Sequence, residues 1–489
     1  MLFPSKEPQS SKVTYWLPPN SGHFSLDPRH SDLALNALVL DQVVGTLVKF
    51  GGVGRYEPYL AESWSVSEDK RTYRFKIRPN LKMEDGTLID AHQYAICLMR
   101  LLRLYSLKSA VPVFENILGW DQFKKGLTSK LGITAISIYE LEFKFRDNPD
   151  GLFEYLSMPY FGIYSPNDFS INGEWKDPDK ITSTGAYRVE GLDRDGQSIH
   201  LSKRFTWFSH LEKSPKFVTI RQVSLVSPIS FGQKLTIIQG SLGNLENSEF
   251  FSVVSGTPMI LTALSISADL NNFFDNVLNR SIFQSKVNNY MNALPPTGNN
   301  VHRSPGFYLT RPFETASPVD SSLHFSRPRK PLKVLIGRLK KNREYVETLI
   351  HEIFGKEHLT FEVLDVEHMK PEWLDKLRSR KEYDIFVTSV EIGGDIESWI
   401  VEMMFCTKMG VSFEDPSGDI CSLTKKYRQQ PNSVTKEEYA YEFNKAMVQD
   451  ATVIPLFHWG QTWYFSKDID LSQFSPTMGY PRFDLLSVP

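Results

Sequence analysis

Apolar and polar positions alternate most sharply between residues 56 and 104. Trp64 and Val66 alternate with serines, and Tyr73, Phe75 and Ile77 alternate with Arg74, Lys76 and Arg78. Both runs have the period of a half-buried strand, and Glu68, Asp69 and Lys70 supply a polar turn between them. Asp85-Gly86 marks a second tight turn, because glycine takes φ > 0 without steric cost. Asp90 then stands at the N-cap of a helix with Ala95, Leu98, Met99 and Leu102 on one face. The stretch reads as a hairpin feeding a capped helix.

The same reading covers the rest of the chain. A strand at 13–17 is followed by the loop Pro18-Pro19-Asn20-Ser21-Gly22, then by a helix over 31–48 striped with Leu33, Ala37, Leu40, Val44 and Leu47. Residues 135–138 and 141–145 form a hairpin, and 199–201 and 217–223 are strands. Residues 269–291 give a helix after an Asn-rich turn. Residues 294–331 hold seven prolines and no helical period, so they read as an extended surface segment. Beyond them, strands at 332–336, 359–364 and 383–388 alternate with helices at 344–354 and 371–378. Such alternation predicts a parallel sheet with right-handed crossovers. Helices follow at 396–405 and 436–451, then strands at 453–456 and 463–465.

A chain of 489 residues has material for two or three domains. Hydrophobic residues at 41% and charged residues at 23% describe a soluble globular protein. A net charge of -2 gives no reason to expect nucleic acid or an anionic membrane surface as a partner. The longest uncharged run, 250–268, is long enough to raise the membrane question. Its four serines, two threonines, Gly256 and Pro258 argue instead for buried strands with a turn between them. Residues 1–6 show neither a basic nor an apolar region of a secretory signal.

Motifs of catalysis are scarce. Ser-x-x-Lys occurs at Ser67/Lys70 and Ser422/Lys425, without the companion elements that would make it a nucleophile site. No Gly-x-Ser-x-Gly, Walker or Gly-x-Gly-x-x-Gly pattern is present. His351-Glu352 lacks a second histidine at i+4, so a zinc-protease reading fails, and no metal site or cofactor is expected. The histidines at 23, 30, 200, 210 and 458 are scattered and suit surface or satisfied-core roles.

Pro58, Leu60, Ala61, Trp64, Ser67 to Asp69, Tyr73, Phe75, Arg78, Asp85 and Gly86 carry a more specific signal. Their order and spacing resemble the solute-binding proteins of the dipeptide/oligopeptide/nickel family of ABC importers. Leu26-Asp27-Pro28 before a helix resembles that family's opening, and Gly185 and Tyr187 its return to the first lobe. Arg280 resembles the arginine that opens one of its helices, and Ile454-Pro455-Leu456 its closing strand. The resemblance implies a two-lobe α/β fold of the periplasmic-binding-protein type with a hinge and an extra α/β subdomain. Lobe I would comprise 1–49, 166–259 and 461–489, with 50–165 as the inserted subdomain and 260–460 as lobe II. It implies a monomeric, non-catalytic protein, periplasmic or lipid-anchored outside the cytoplasm, that binds a short peptide in an interlobe cleft and docks on an ABC-transporter permease. A sensing module of the same fold is the alternative role.

The resemblance also bears on particular residues. Relatives carry a disulfide across the loop that matches Cys406 and Cys421, which implies a Cys406–Cys421 bridge and an oxidising compartment. Cys97 reads as a small buried apolar residue. Ligand contacts fall in the loop after the 383–388 strand, at Glu391, Ile392, Gly393, Gly394 and Asp395, and in Asn20, Ser21 and Gly22 after the first strand. In peptide-binding relatives the first of these loops begins Gly-Trp and carries an aspartate that pairs with the peptide α-ammonium. Here the tryptophan aligns with Ser389 and the aspartate with Ile392, while Asp395 matches a second acidic position. Either Glu391 takes over the ammonium contact, or the ligand lacks an amine, as an oligosaccharide would. A helix-capping Asp395 and an exposed Glu391 are the structural alternative.

Overall fold

The computed structural model describes residues 11–18, 24–28, 34–52, 55–106, 112–209, 211–222, 235–240, 249–256, 260–267, 273–293, 301–303, 328–336, 343–363, 383–391, 398–406, 413–429, 434–474 and 480–489. They fold as mixed α/β in two units, Met1–Gly256 with Gln461–Pro489, and Thr257–Gly460.

In the first unit, β1 (Lys12–Leu17) lies between β10 (Phe217–Gln222) and β11 (Leu235–Gln239), parallel to both. Beyond β10 the seven-stranded sheet continues antiparallel through β9 (Ser198–Lys203) and β8 (Tyr187–Leu192). Beyond β11 it continues through β19 (Thr462–Ser466) to β12 (Phe251–Ser255). The uncharged run therefore supplies β12 and, in the second unit, β13 (Ile260–Ile266). Among the described residues no helix is long and apolar enough to cross a membrane.

β2 (Val48–Gly52) and β3 (Arg55–Pro58) form a two-stranded ribbon. A separate four-stranded sheet runs β4 (Ala61–Val66), β5 (Thr72–Ile77), β7 (Glu140–Lys144), β6 (Ile133–Ala135). The alternation in β5 is realised: Tyr73, Phe75 and Ile77 are buried while Arg74 and Lys76 are exposed. Ser67 Oγ donates to Asp69 Oδ1 at 2.6 Å and accepts from Thr72 N at 2.9 Å, which closes the hairpin turn. Gly86 has φ 86°, and Thr87 N donates to Asp85 Oδ1 at 3.0 Å. Asp90 caps the helix Ala91–Ser106 by accepting from Gln93 N at 2.8 Å.

The helix expected over 31–48 is shorter, Ala34–Val43, with 31–33 outside the described residues. The chain leaves the helix because Gly45 bridges to Ile163 and its N–H donates to Thr184 Oγ1 at 3.0 Å. A Cβ at Gly45 would lie 2.6 Å from the Thr184 carbonyl oxygen, so only glycine permits the approach. Val44 and Leu47 are fully buried in this non-helical segment, so their fit to a helical stripe was coincidental.

The second unit is built on a six-stranded sheet ordered β14 (Val301–Arg303), β18 (Val453–Trp459), β13, β17 (Ile385–Glu391), β15 (Leu332–Ile336), β16 (Leu359–Val363). Only β15 with β16 and β15 with β17 are parallel. β13 lies antiparallel to both neighbours, so the sheet is mixed where strand–helix alternation predicts a parallel one. On one face, Leu264, Ile266, Val334, Ile385, Val387 and Leu456 pack with Phe274, Phe283 and Phe354 of the adjoining segments and helices.

Two helix boundaries in this unit differ from the sequence reading. The helix Val277–Ala293 starts later than expected, because Asn276 Oδ1 accepts from Leu278 N at 2.9 Å and caps it. Arg280 donates to the carbonyls of Phe274 at 2.6 Å and Asp450 at 2.7 Å, which ties this start to the end of the helix Lys436–Asp450. The helix read over 396–405 is a short turn of helix, Ser398–Val401, that widens over Glu402–Cys406. The helix read over 371–378 and most of the proline-rich segment lie outside the described residues.

Candidate functional site

Of the ligand residues read from the sequence, Asn20, Ser21, Gly22, Ile392, Gly393, Gly394 and Asp395 lie outside the described residues. Glu391 is described in its backbone, and there the reading is corrected. β17 runs on to Glu391, which pairs with Ile260, so Glu391 ends a strand instead of opening a loop. The extension exists because β13 offers seven consecutive partners, from Ile266↔Ile385 to Ile260↔Glu391. Ladder hydrogen bonds to a long neighbour outweigh the weak strand propensity of glutamate.

Ile260 is also the partner of Trp459, the last residue of β18. One end of the sheet thus gathers the chain's entry into the unit, its exit, and the residue that leads into 392–395. At this end the side chains change character. The paired positions Ile266/Ile385 and Leu264/Val387 are apolar and closed, whereas the next pair on that ladder face is Thr262/Ser389. Thr262 Oγ1 and Ser389 Oγ are 2.7 Å apart, and Trp459 Nε1 donates to Thr262 Oγ1 at 3.1 Å. Thr262 is fully buried, while Ser389 and Trp459 are half-buried. A buried hydroxyl without a partner would cost about 1–3 kcal/mol, and the three-residue chain removes that cost. Neither Thr262 nor Trp459 stands out in the sequence, because nothing local shows that they share a ladder with Ser389.

The segment after 392–397 is tethered. Cys406 and Cys421 form a disulfide with Cα atoms 5.5 Å apart, the pairing that the resemblance implies. It joins the widened turn to the helix Asp419–Gln429, and Arg428 on that helix forms an ion pair with Glu402. Asp415 caps the helix, its carboxylate accepting from Cys421 N at 2.9 Å and Ile420 N at 3.3 Å.

Candidate nucleophiles are placed less suggestively. Ser67 is engaged in its hairpin turn, and Ser422 and Lys425 sit on the exposed face of the helix Asp419–Gln429. Cys97 is buried, and burial pushes its thiol up to about 12, so it is inert at neutral pH. His200 bridges Asp193 Oδ1 at 2.9 Å and Thr219 Oγ1 at 3.1 Å, and His458 is buried in β18. Among the described residues no three His, Cys, Asp or Glu side chains are grouped to hold a metal ion.

The first unit holds a buried charge cluster that the sequence did not reveal. Lys49 pairs with Asp41 at 2.5 Å and Arg482 with Asp484 at 2.7 Å. Both cations lie over the Tyr59 ring, 4.9 Å and 5.1 Å from its centroid. Burial alone would raise the Asp484 carboxyl, but the Arg482 guanidinium, the Ser209 hydroxyl and the Lys49 ammonium together outweigh it and hold the group below its ordinary range. The cluster fastens the C-terminal segment to the start of the ribbon and has no open face for a ligand: Lys49, Tyr59, Arg482 and Asp484 are all buried.

Two α/β units, a mixed sheet in each and a chain that crosses twice define the fold class of the large two-lobe binding proteins. The crystal structure of Haemophilus influenzae OppA in complex with RPPGFSPFR has this fold, with a TM-score of 0.73 at 13% identity over 98% of this chain and 99% of that one. In sequence, the model for bacterial extracellular solute-binding proteins, family 5, matches residues 55–226. The dipeptide-binding protein DppE of Bacillus subtilis is 27% identical over 173 residues, 35% of this chain and 32% of its own length. The periplasmic murein peptide-binding protein MppA of Escherichia coli is 28% identical over 170 residues, 33% of this chain and 31% of its own length. These matches span about a third of the curated relatives. In sequence the likeness to family 5 of the bacterial extracellular solute-binding proteins thus lies in residues 55–226, and beyond them the likeness is one of fold.

Proposed function

We propose that this protein captures a short peptide outside the cytoplasm and delivers it to the permease of an ABC importer. The observation that carries this reading is the double crossing. Gly256 N donates to the Gln461 carbonyl at 2.7 Å on the first unit's side, and Ile260 pairs with Trp459 on the second unit's side. In hinged two-lobe proteins of this fold class, a ligand that contacts both lobes stabilises the closed state. The separate β4-β5-β7-β6 sheet supports reading 50–165 as a subdomain inserted in lobe I, with 260–460 as lobe II. The Cys406–Cys421 bridge suits an oxidising, extracytoplasmic compartment.

The peptide class is favoured by the relatives: DppE is a dipeptide-binding protein, MppA a murein peptide-binding protein, and the OppA structure is a complex with a nine-residue peptide. The role is binding and not catalysis. On this reading Glu391, the last residue of β17, takes the ligand ammonium. Native mass spectrometry of the purified protein, followed by denaturation, identifies any co-purified ligand. A peptide with a free N-terminus is the expected result, and a sugar or other amine-free ligand refutes the reading.

A further inference from the structure

We infer that the loop 203–216 of the first unit is a membrane-contacting patch, in which Phe205 enters the headgroup region of an anionic bilayer while Lys203, Lys213 and Lys216 meet its phosphates. The inference goes beyond the peptide reading and does not depend on the ligand. The chain's net charge of -2 hides a local excess, because this loop holds Lys203, Arg204, Lys213 and Lys216 against Glu212 alone. Lys213 and Lys216 are exposed, and among the described residues neither pairs with a carboxylate. Lys203 donates to the Leu211 carbonyl at 3.1 Å. Partial burial and then the Lys216 ammonium hold Lys203 below its ordinary range, and the second of these an approaching anion relieves. The nearby carboxylates are already engaged. Glu84 accepts from Ser183 N at 3.1 Å, Asp85 from Thr87 N at 3.0 Å and Asn167 Nδ2 at 3.1 Å, and Asp484 from Arg482.

Phe205 is 72% exposed, yet the loop that carries it is fastened on both sides. Before it, Arg204 donates to the carbonyls of Gly185 at 2.7 Å and Lys82 at 2.6 Å, and its guanidinium lies 4.9 Å from the Trp207 ring centroid. After it, the buried Trp207 donates through Nε1 to the Tyr59 hydroxyl at 3.0 Å. Ser209 Oγ donates to Asp484 Oδ2 at 2.5 Å, Leu211 N to the Asp484 carbonyl at 3.1 Å, and Val488 N to the Lys213 carbonyl at 3.0 Å. With both flanks held, the phenylalanine stays at its turn with most of its surface open. Phe208 packs on Trp207, ring centroids 5.2 Å apart, and is itself 39% exposed. Open aromatic rings flanked by lysines are the composition of an interfacial anchor: the rings leave water and the ammonium groups stay with the phosphates. Exposure alone does not select such a surface. Ile171 is bare as well, but Glu174, Asp177 and Asp179 follow it in the chain, and their charge opposes an anionic bilayer.

The test is sedimentation of the purified protein with vesicles of phosphatidylcholine alone and of equal parts phosphatidylcholine and phosphatidylglycerol, at low and at high salt. Wild type is expected to sediment with the anionic vesicles and not with the neutral ones, and high salt should release it. Phe205→Ser should weaken the partitioning about tenfold, the scale of keeping one aromatic side chain in water. Lys213→Gln and Lys216→Gln should each weaken it about fivefold. All three side chains are exposed, so the melting temperature should stay at the wild-type value. Phe205→Trp should keep the binding and add an emission that anionic vesicles with brominated acyl chains quench. Equal sedimentation with both vesicle types, sedimentation with neither, or partitioning unchanged in Phe205→Ser overturns the assignment. Self-association that Phe205→Ser abolishes, without vesicle binding, gives the patch to a second copy and overturns it too. None of these outcomes bears on the peptide reading, which native mass spectrometry tests separately.

Discussion

Removing the Cys406–Cys421 bridge, by the double substitution Cys406→Ser and Cys421→Ser, should destabilise the second unit by about 3 kcal/mol. The bridge closes a loop with a sequence separation of 15, and its loss returns that loop-closure entropy to the unfolded chain. The Cα separation of 5.5 Å lies in the middle of the unstrained range, so the native state gains nothing in return. The bridge lies wholly within the second unit. For a unit of roughly 200 residues, about 3 kcal/mol corresponds to a fall of about 6–12 °C in its melting temperature. Calorimetry on the oxidised protein and the double variant measures the shift. Amide exchange locates it, with the largest loss of protection expected in the helix Asp419–Gln429. The Asp415 cap and the Glu402–Arg428 ion pair remain, so the helix should loosen and not disappear. A double variant that melts within a degree of wild type, with unchanged exchange in this helix, refutes the reasoning.

Two further outcomes follow from local chemistry. Asp90→Ala removes the side-chain acceptor of Gln93 N and should cost about 1 kcal/mol, measured by urea unfolding, with Asp90→Asn recovering most of it. Glu154 has its carboxyl pushed up by burial, although the Tyr56 hydroxyl donates to it at 2.6 Å. Its folded pKa therefore lies above the unfolded value, so its contribution to stability is intact below about pH 4 and is lost as pH rises through the folded pKa. Glu154→Gln should accordingly gain thermal stability relative to wild type between acidic and neutral pH; a pH-independent difference would count against it.

What was legible in the sequence is what depends on near neighbours. The turn at Ser67–Asp69, the Asp85-Gly86 turn and the Asp90 cap are each set by residues within five positions of one another. These are also the positions that carried the family resemblance. Periodicity failed where a distant segment decided the outcome. The helix after Ala34 stops at Val43 because Ile163 and Thr184 claim Gly45, and β17 reaches Glu391 because Ile260 pairs with it. The Trp459–Thr262–Ser389 chain joins residues 197 and 127 positions apart, and no single-sequence pattern registers three strands against each other. The disulfide became legible only through resemblance, since three cysteines allow more than one pairing.

The place of β19 sets an order of assembly. Among the described residues Phe251–Ser255 pairs with no strand except Thr462–Ser466, which also pairs with β11. The gap between β11 and β12 is therefore one strand wide, and the strand that fills it, Thr462–Ser466, follows the whole second unit in the chain. The second unit, continuous from Thr257 to Gly460, can fold as soon as it emerges, whereas the first unit keeps two open sheet edges until Thr462–Ser466 has been made. A truncation that removes Thr462 onward would leave both edges exposed and prone to aggregate. The strand Thr462–Ser466 thus acts as a checkpoint: only a chain made through it can finish the sheet on which Lys12–Leu17 lies.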